Sequence, residues 1–194
     1  MEMNEQKQAD GNWMGSWFAS QTYYDGKFAK DRFEDQTIRM VVHPHAYGSK
    51  IRLKFSNLYG SEHVIFGKVS AALSAIDGRT VPGTSRHVTL NGQSTVAIPA
   101  GEAIYTDPVD LEVNEQSDVA ISVYVPESTR ASTWHFSPPQ STYVSEGNRT
   151  DDSGADFFRK KIHSYYWLSG IPNNCLPPMI SAIIFILAMR ASKH

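Results

Sequence analysis

Val119-Ala120-Ile121-Ser122-Val123-Tyr124-Val125 alternates large β-branched side chains with other residues at a period of two. Successive side chains of a strand point to opposite faces, so Val119, Ile121, Val123 and Val125 share one side. Ala120, Ser122 and Tyr124 share the other. The same period recurs outward from this stretch. Ile51, Leu53 and Phe55 alternate with Arg52, Lys54 and Ser56, and Val109, Leu111 and Val113 alternate with Asp110, Glu112 and Asn114. Residues 12–20, 36–43, 64–73, 95–98 and 164–169 are also expected as strands, most of them rich in β-branched and aromatic residues.

Turn chemistry punctuates these runs. Asp77-Gly78, Val81-Pro82-Gly83, Asn91-Gly92 and Pro99-Ala100-Gly101 fall at short intervals, and Asn91-Gly92 is a strong hairpin signal. Many short strands, polar turns and hardly any helical periodicity predict an all-β fold, an antiparallel β-sandwich. The longest polar interruption, residues 145–161, reads as a mobile surface loop. After Gly170 the composition shifts. Ile171-Pro172-Asn173-Asn174 and Pro177-Pro178 read as a linker, and Ile180 to Leu187 is a nearly unbroken apolar run. The expected organisation is a flexible N-terminus over 1–11, a sandwich over 12–171 and a linker with an apolar extension over 172–194.

Composition narrows the classes of partner. Hydrophobic residues make up 41 % and charged residues 20 % of 194 residues, enough to bury a sizeable core. The net charge of -2 offers no basic field for nucleic acid, and Arg159-Lys160-Lys161 is a short solvated run. A single cysteine, Cys175, excludes an intrachain disulfide, and the polar N-terminus lacks the apolar stretch of a secretory signal. A cytoplasmic location is therefore expected. Met179 to Met189 is too short for a membrane span, which needs ~20 apolar residues.

Residues that could carry chemistry are few. His43-Pro44-His45 would place two imidazoles on one strand face, the spacing a zinc site uses, but no third ligand stands beside them. His135 reads as a strand-edge residue bonded to backbone. No G-x-S-x-G elbow is present, and Ser16, Ser49 and Ser61 follow glycines as ordinary turn residues do. Asp152-Ser153-Gly154 has nothing to position it, no phosphate-cradling glycine loop occurs, and Asn148-Arg149-Thr150 is a glycosylation sequon relevant only to a secreted chain. Neither a cofactor nor a metal is expected. The aromatics Trp13, Trp17, Tyr23, Tyr24, Trp134, Tyr143, Tyr165, Tyr166 and Trp167 are expected to pack, although exposed rings on a sandwich can stack on sugars.

Several segments occur in an order that resembles the N-terminal, jelly-roll-like β-sandwich of two-domain SGNH/GDSL hydrolases, bacterial lipase/esterase-like proteins. They are Trp13-Met14-Gly15-Ser16-Trp17-Phe18-Ala19-Ser20, Gln36-Thr37-Ile38-Arg39-Met40-Val41-Val42-His43, and Ile51-Arg52-Leu53-Lys54-Phe55-Ser56-Asn57 with Tyr59-Gly60. Val81-Pro82-Gly83-Thr84, Ile98-Pro99-Ala100-Gly101 and Thr106-Asp107-Pro108-Val109 follow. Thr133-Trp134-His135, Thr142-Tyr143-Val144 and Tyr166-Trp167-Leu168-Ser169-Gly170 complete the series.

The resemblance implies that the sandwich precedes a flavodoxin-like α/β/α catalytic domain, whose first strand leads into a G-D-S block and whose D-x-x-H block supplies acid and base. Here Ala182 to Leu187 stands in the place of that strand, and Ala188-Met189-Arg190-Ala191-Ser192-Lys193-His194 contains no G-D-S. No catalytic residue of that family carries over; Ser192 lacks the turn glycine and the oxyanion donors. The expected function is a non-catalytic accessory β-sandwich of an SGNH/GDSL-type ester hydrolase, from a truncated or frameshifted gene, with its catalytic domain as the natural partner. The alternatives are a free-standing carbohydrate-binding-like module and a residual structural domain without ligand. Carbohydrate or ester is the expected ligand class, with no nucleic acid and no membrane span.

Overall fold

The computed structural model describes residues 13–24 and 32–175. In chain order the strands are β1 (Trp13–Phe18), β2 (Thr22–Tyr23), β3 (Arg32–Phe33), β4 (Gln36–Val42), β5 (Gly48–Ile51) and β6 (Lys54–Ser56). Next come β7 (Val64–Phe66), β8 (Lys68–Leu73), β9 (Arg86–Val88), β10 (Val96–Ile98), β11 (Ala103–Tyr105), β12 (Val109–Val113) and β13 (Val119–Val125). Then β14 (Thr129–Arg130), β15 (Thr133–Phe136), β16 (Thr142–Glu146), β17 (Lys160–Ile162), β18 (Ser164–Tyr166) and β19 (Leu168–Cys175) close the chain. The only helical element among the described residues is a 3-10 turn at Ile76–Gly78.

Every pairing is antiparallel, and two six-stranded sheets dominate. The first has the order β17-β16-β4-β13-β8-β9, with the alternating stretch 119–125 inside it as β13. The second runs β11-β6-β19-β5-β12, with β1 on the free side of β19. In that sheet β5 and β6 lie end to end along β19, facing Asn173 and Leu168 respectively, while β12 backs β5 and β11 backs β6. The alternation seen in sequence sets what lies between the layers. Val119, Ile121, Val123 and Val125 are fully buried with Ile38, Met40, Ile51, Leu53, Phe55 and Leu168 in one core. Trp167 marks the crossover from β18 to β19. It is buried at φ 59°, a conformation that costs a bulky residue ~1–3 kcal/mol, and its carbonyl accepts from Ser56 N–H at 2.7 Å.

The first sheet is covered on its second face too, and Arg39 is the reason. Strand β4 turns Ile38, Met40 and Val42 to the core, so Arg39 must point outward, yet it is fully buried. Its Nε donates to Ser122 Oγ at 2.9 Å, one Nη to the carbonyls of Gly78 (2.9 Å) and Gly154 (3.3 Å), and the other to those of Asp152 (2.5 Å) and Arg149 (3.3 Å). Phe158 stacks on the guanidinium at 3.9 Å. Burial pushes this guanidinium down to about 10, an effect that the charge of Asp152 opposes, and it stays charged at neutral pH. Ser70 Oγ donates to Thr150 carbonyl at 2.6 Å and Thr37 Oγ1 to Gly147 carbonyl at 2.7 Å, so the strap is sewn down along its length.

This corrects the expectation of a mobile loop over 145–161. Its ends belong to β16 and β17, and its middle docks on the sheet through backbone carbonyls, which side-chain polarity does not report. Two boundaries also differ. The expected strand over 64–73 divides at Gly67 into β7, which pairs only with β10, and β8, which joins the large sheet. The last strand runs on to Cys175, past the expected linker start. Pro172 is tolerated there opposite Gly15, and its carbonyl accepts from Arg52 N–H at 3.0 Å. Residues 1–12 and the apolar stretch Met179 to Met189 lie outside the described residues.

Asn91 and Gly92 have φ of 52° and 75°, as the tight hairpin turn between Leu90 and Gln93 requires. Asp107 braces it, accepting from Thr89 Oγ1 (2.6 Å), Gly92 N–H (2.8 Å) and Asn91 N–H (3.1 Å). The Thr89 hydroxyl first, then the Gly92 amide, hold its carboxyl below the usual 3.8.

Replacing Arg39 by Met is expected to cost about 2–4 kcal/mol, since four carbonyls and Ser122 lose their donor. That corresponds to a fall in Tm of roughly 5–15 °C, with faster proteolysis between residues 147 and 158; an unchanged Tm and cleavage pattern would refute the clamp. Asp107→Asn is expected to lower Tm at pH 7. Because the folded carboxyl has the depressed value, this difference from wild type should shrink as pH falls from the unfolded value of 3.8 through the folded one. Thermal melts of both proteins between pH 2 and 7 check the sign.

Candidate functional site

A cleft of about 590 Å³ opens where β1 leaves the second sheet. Its walls are Ser16, Trp17 and Phe18 from β1, His45 from the β4–β5 connection, His135 from β15 and Tyr165 from β18. His135 and Tyr165 are direct cross-strand partners, which is why their rings stack at 6.1 Å and 19°. Trp17 meets Tyr165 edge-on at 5.3 Å, forming the aromatic floor. The Tyr165 hydroxyl donates to Val41 carbonyl at 2.7 Å, and burial pushes it well above the usual phenol value, so it remains a neutral donor. His135 Nδ1 bonds Ser20 carbonyl at 2.8 Å, the backbone-bonded role its strand position suggests, on a strand flanked by β2 and β18.

A carboxylate–imidazole pair stands beside the cleft. His43 follows the last residue of β4 and Asp118 precedes the first of β13; since Val42 faces Val119, the two side chains emerge together at the sheet end. Their Nδ1 and Oδ1 lie 2.7 Å apart, and the His43 ring meets that of His45 at 5.2 Å. The sequence spacing of the two histidines anticipates their contact, whereas Asp118 lies 75 residues away and carries no local sign of it. Among the described residues no group of three metal-ligating side chains forms.

The arrangement can bind polar groups, and two hydroxyls near it, those of Ser16 and Tyr165, are engaged by backbone. Ser16 is buried; its Oγ accepts from Ala46 N–H at 3.3 Å and its carbonyl from His45 N–H at 2.8 Å. His43 bonds the Asp118 carboxylate, His135 bonds the Ser20 carbonyl, and the His45 ring packs on that of His43. Among the described residues a serine–histidine pair occurs elsewhere, His87 Nε2 to Ser94 Oγ at 3.0 Å, but it is exposed. Ser49 lies within β5, and Ser61 lines a small separate hollow with Arg32, His63 and Arg130. Ser153 is positioned after all, its carbonyl accepting from Thr80 N–H at 2.9 Å beneath the Arg39 clamp. Of the aromatics, Tyr24, Trp134, Tyr143, Tyr165, Tyr166 and Trp167 are buried as expected, while Tyr23 is exposed.

No helix among the described residues is long and apolar enough to cross a membrane. No protein-family model matches this chain, and no curated protein matches it.

Proposed function

We propose that this chain is a non-catalytic β-sandwich that works beside an ester hydrolase of the SGNH/GDSL type, lending its cleft to substrate approach. The reading is supported by one convergence. Of the nine segments whose order resembles those hydrolases, two supply walls of the cleft, through residues 15–20 and His135, and two border it, His43 through its ring contact with His45 and Ser169 through its carbonyl on Ala19 N–H. Trp17, Phe18 and Tyr165 offer an apolar wall to an acyl or sugar group, and His45 and His135 offer polar contacts at its rim. A His43–Asp118 pair without a hydrogen-bonded hydroxyl does not by itself generate an alkoxide nucleophile, so bond cleavage falls to a partner domain.

The test is nitrophenyl-acetate turnover by the full chain alone and mixed with the α/β/α half of a two-domain SGNH hydrolase. The expected result is no turnover alone and a several-fold lower KM in the mixture, lost when His45 and His135 are both replaced by Ala. Turnover by the chain alone that one serine substitution abolishes would overturn the proposal. A mixture kinetically identical to the catalytic half alone would do the same.

A further inference from the structure

Strands β3 and β14 form a two-stranded ladder apart from both large sheets, and its register sets Arg32 directly opposite Arg130. Residues opposed in this way share a face, with Cβ atoms roughly 4.5–5.5 Å apart. The period of two decides which face. Phe33 turns inward and meets the Tyr166 ring edge-on at 4.8 Å, so its neighbour Arg32 turns outward, and Arg130 with it. Like charges directly across a ladder repel and destabilise it. Among the described residues neither guanidinium forms an ion pair with a carboxylate. Arg32 reaches Ser128 at 3.4 Å, through one Nη to its carbonyl and its hydroxyl.

Both arginines line one hollow, whose facing wall is residues 60–63 of the β6–β7 loop. That wall is held in shape from below. Asn57, fully buried, donates through Nδ2 to the carbonyls of Glu62 (2.8 Å), Pro99 (3.2 Å) and Ile98 (3.3 Å), and its own carbonyl accepts from Gly60 N–H at 3.0 Å. Tyr59 N–H donates to Thr133 Oγ1 at 2.9 Å, and a Cβ on Gly60 would collide with the Asn57 amide. Ser61 and His63 thus stand on a fixed loop across from the two arginines. Among the lining residues Glu62 is the one acid, which leaves two guanidinium charges against a single carboxylate.

Volume and charge select the ligand. At about 90 Å³ the hollow holds roughly three waters, far below the ~300–1,000 Å³ that organic ligands fill, so it suits a compact anion. Adjacent guanidinia present forks of parallel N–H donors. A phosphate matches them with up to two negative charges and three acceptor oxygens, where a carboxylate offers one charge and two oxygens.

We propose that this hollow binds a phosphate dianion, held between Arg32 and Arg130 with Ser61 and His63 donating from the loop. The site shares no residue with the cleft and does not rest on the ester-hydrolase reading. The full chain would be titrated calorimetrically with sodium phosphate, glucose 6-phosphate and sodium acetate at pH 8 and constant ionic strength. Phosphate is expected to bind, and acetate at least tenfold more weakly. Arg32→Gln and Arg130→Gln should each weaken phosphate binding about tenfold, while Lys160→Gln, on β17, should leave it unchanged. Melting curves establish that the variants fold and add a second readout. Phosphate stabilises many proteins by exclusion from their surface, so the expected sign of a site is a larger rise in Tm for wild type than for Arg130→Gln. Glucose 6-phosphate binding as tightly as phosphate would identify the occupant as the end group of a phosphorylated metabolite, and binding of inorganic phosphate alone would identify the free anion. No binding of phosphate, equal affinity for phosphate and acetate, or the same rise in Tm with and without Arg130 would overturn the proposal.

Discussion

A guanidinium held in the middle of a sheet, with carbonyls for partners where a carboxylate might be expected, governs how the rest of this sandwich is used. Desolvating a cation is costly unless every N–H finds an acceptor. Arg39 meets that condition only if residues 149–154 and Gly78 bring their carbonyls to it. Gly78 has φ of 75°, and a Cβ there would strike the Tyr143 ring at 2.7 Å, so even the 3-10 turn is shaped to this contact. The covering strap and the strand beneath it are thus one structural unit.

A consequence follows for where ligands can go. With the core on one face and the strap on the other, the first sheet has little surface to offer. The second sheet has no such cover among the described residues, and its outward face and its rim at β1 carry two openings: the cleft of Trp17, His135 and Tyr165, and a depression lined by Phe18 and Tyr105. Phe18 borders both.

Local pattern foretold much of the frame and little of the chemistry. The alternations at 51–55, 109–113 and 119–125 appear as β5–β6, β12 and β13, and Asn91-Gly92 as a hairpin turn. Short strands such as β2, β3, β9, β14 and β17 escaped because two or three residues carry no period. Arg39 sits amid an apolar strand, Thr37-Ile38-Arg39-Met40-Val41, and a lone charge there was a signal in hindsight: it reads equally well as a solvated face until its partners are known. Asp118 and Arg130 gave no sign at all, since one is an ordinary polar turn residue and the other one charge among many.

The division has a physical cause. Which residues extend, and which of two faces each side chain takes, follow from chirality and the pleat, and these act between neighbours in the chain; the amino-acid order therefore settled the longer alternating strands and the apolar side of each. Which strands lie side by side depends on contacts such as Arg39 to Ser122 or His135 to Ser20, across 83 and 115 residues. Those are decided only when the whole core closes at once. The carbonyl cage, the His43–Asp118 pair and the facing of Arg32 and Arg130 belong to that second kind, and with them everything that bears on what this protein binds.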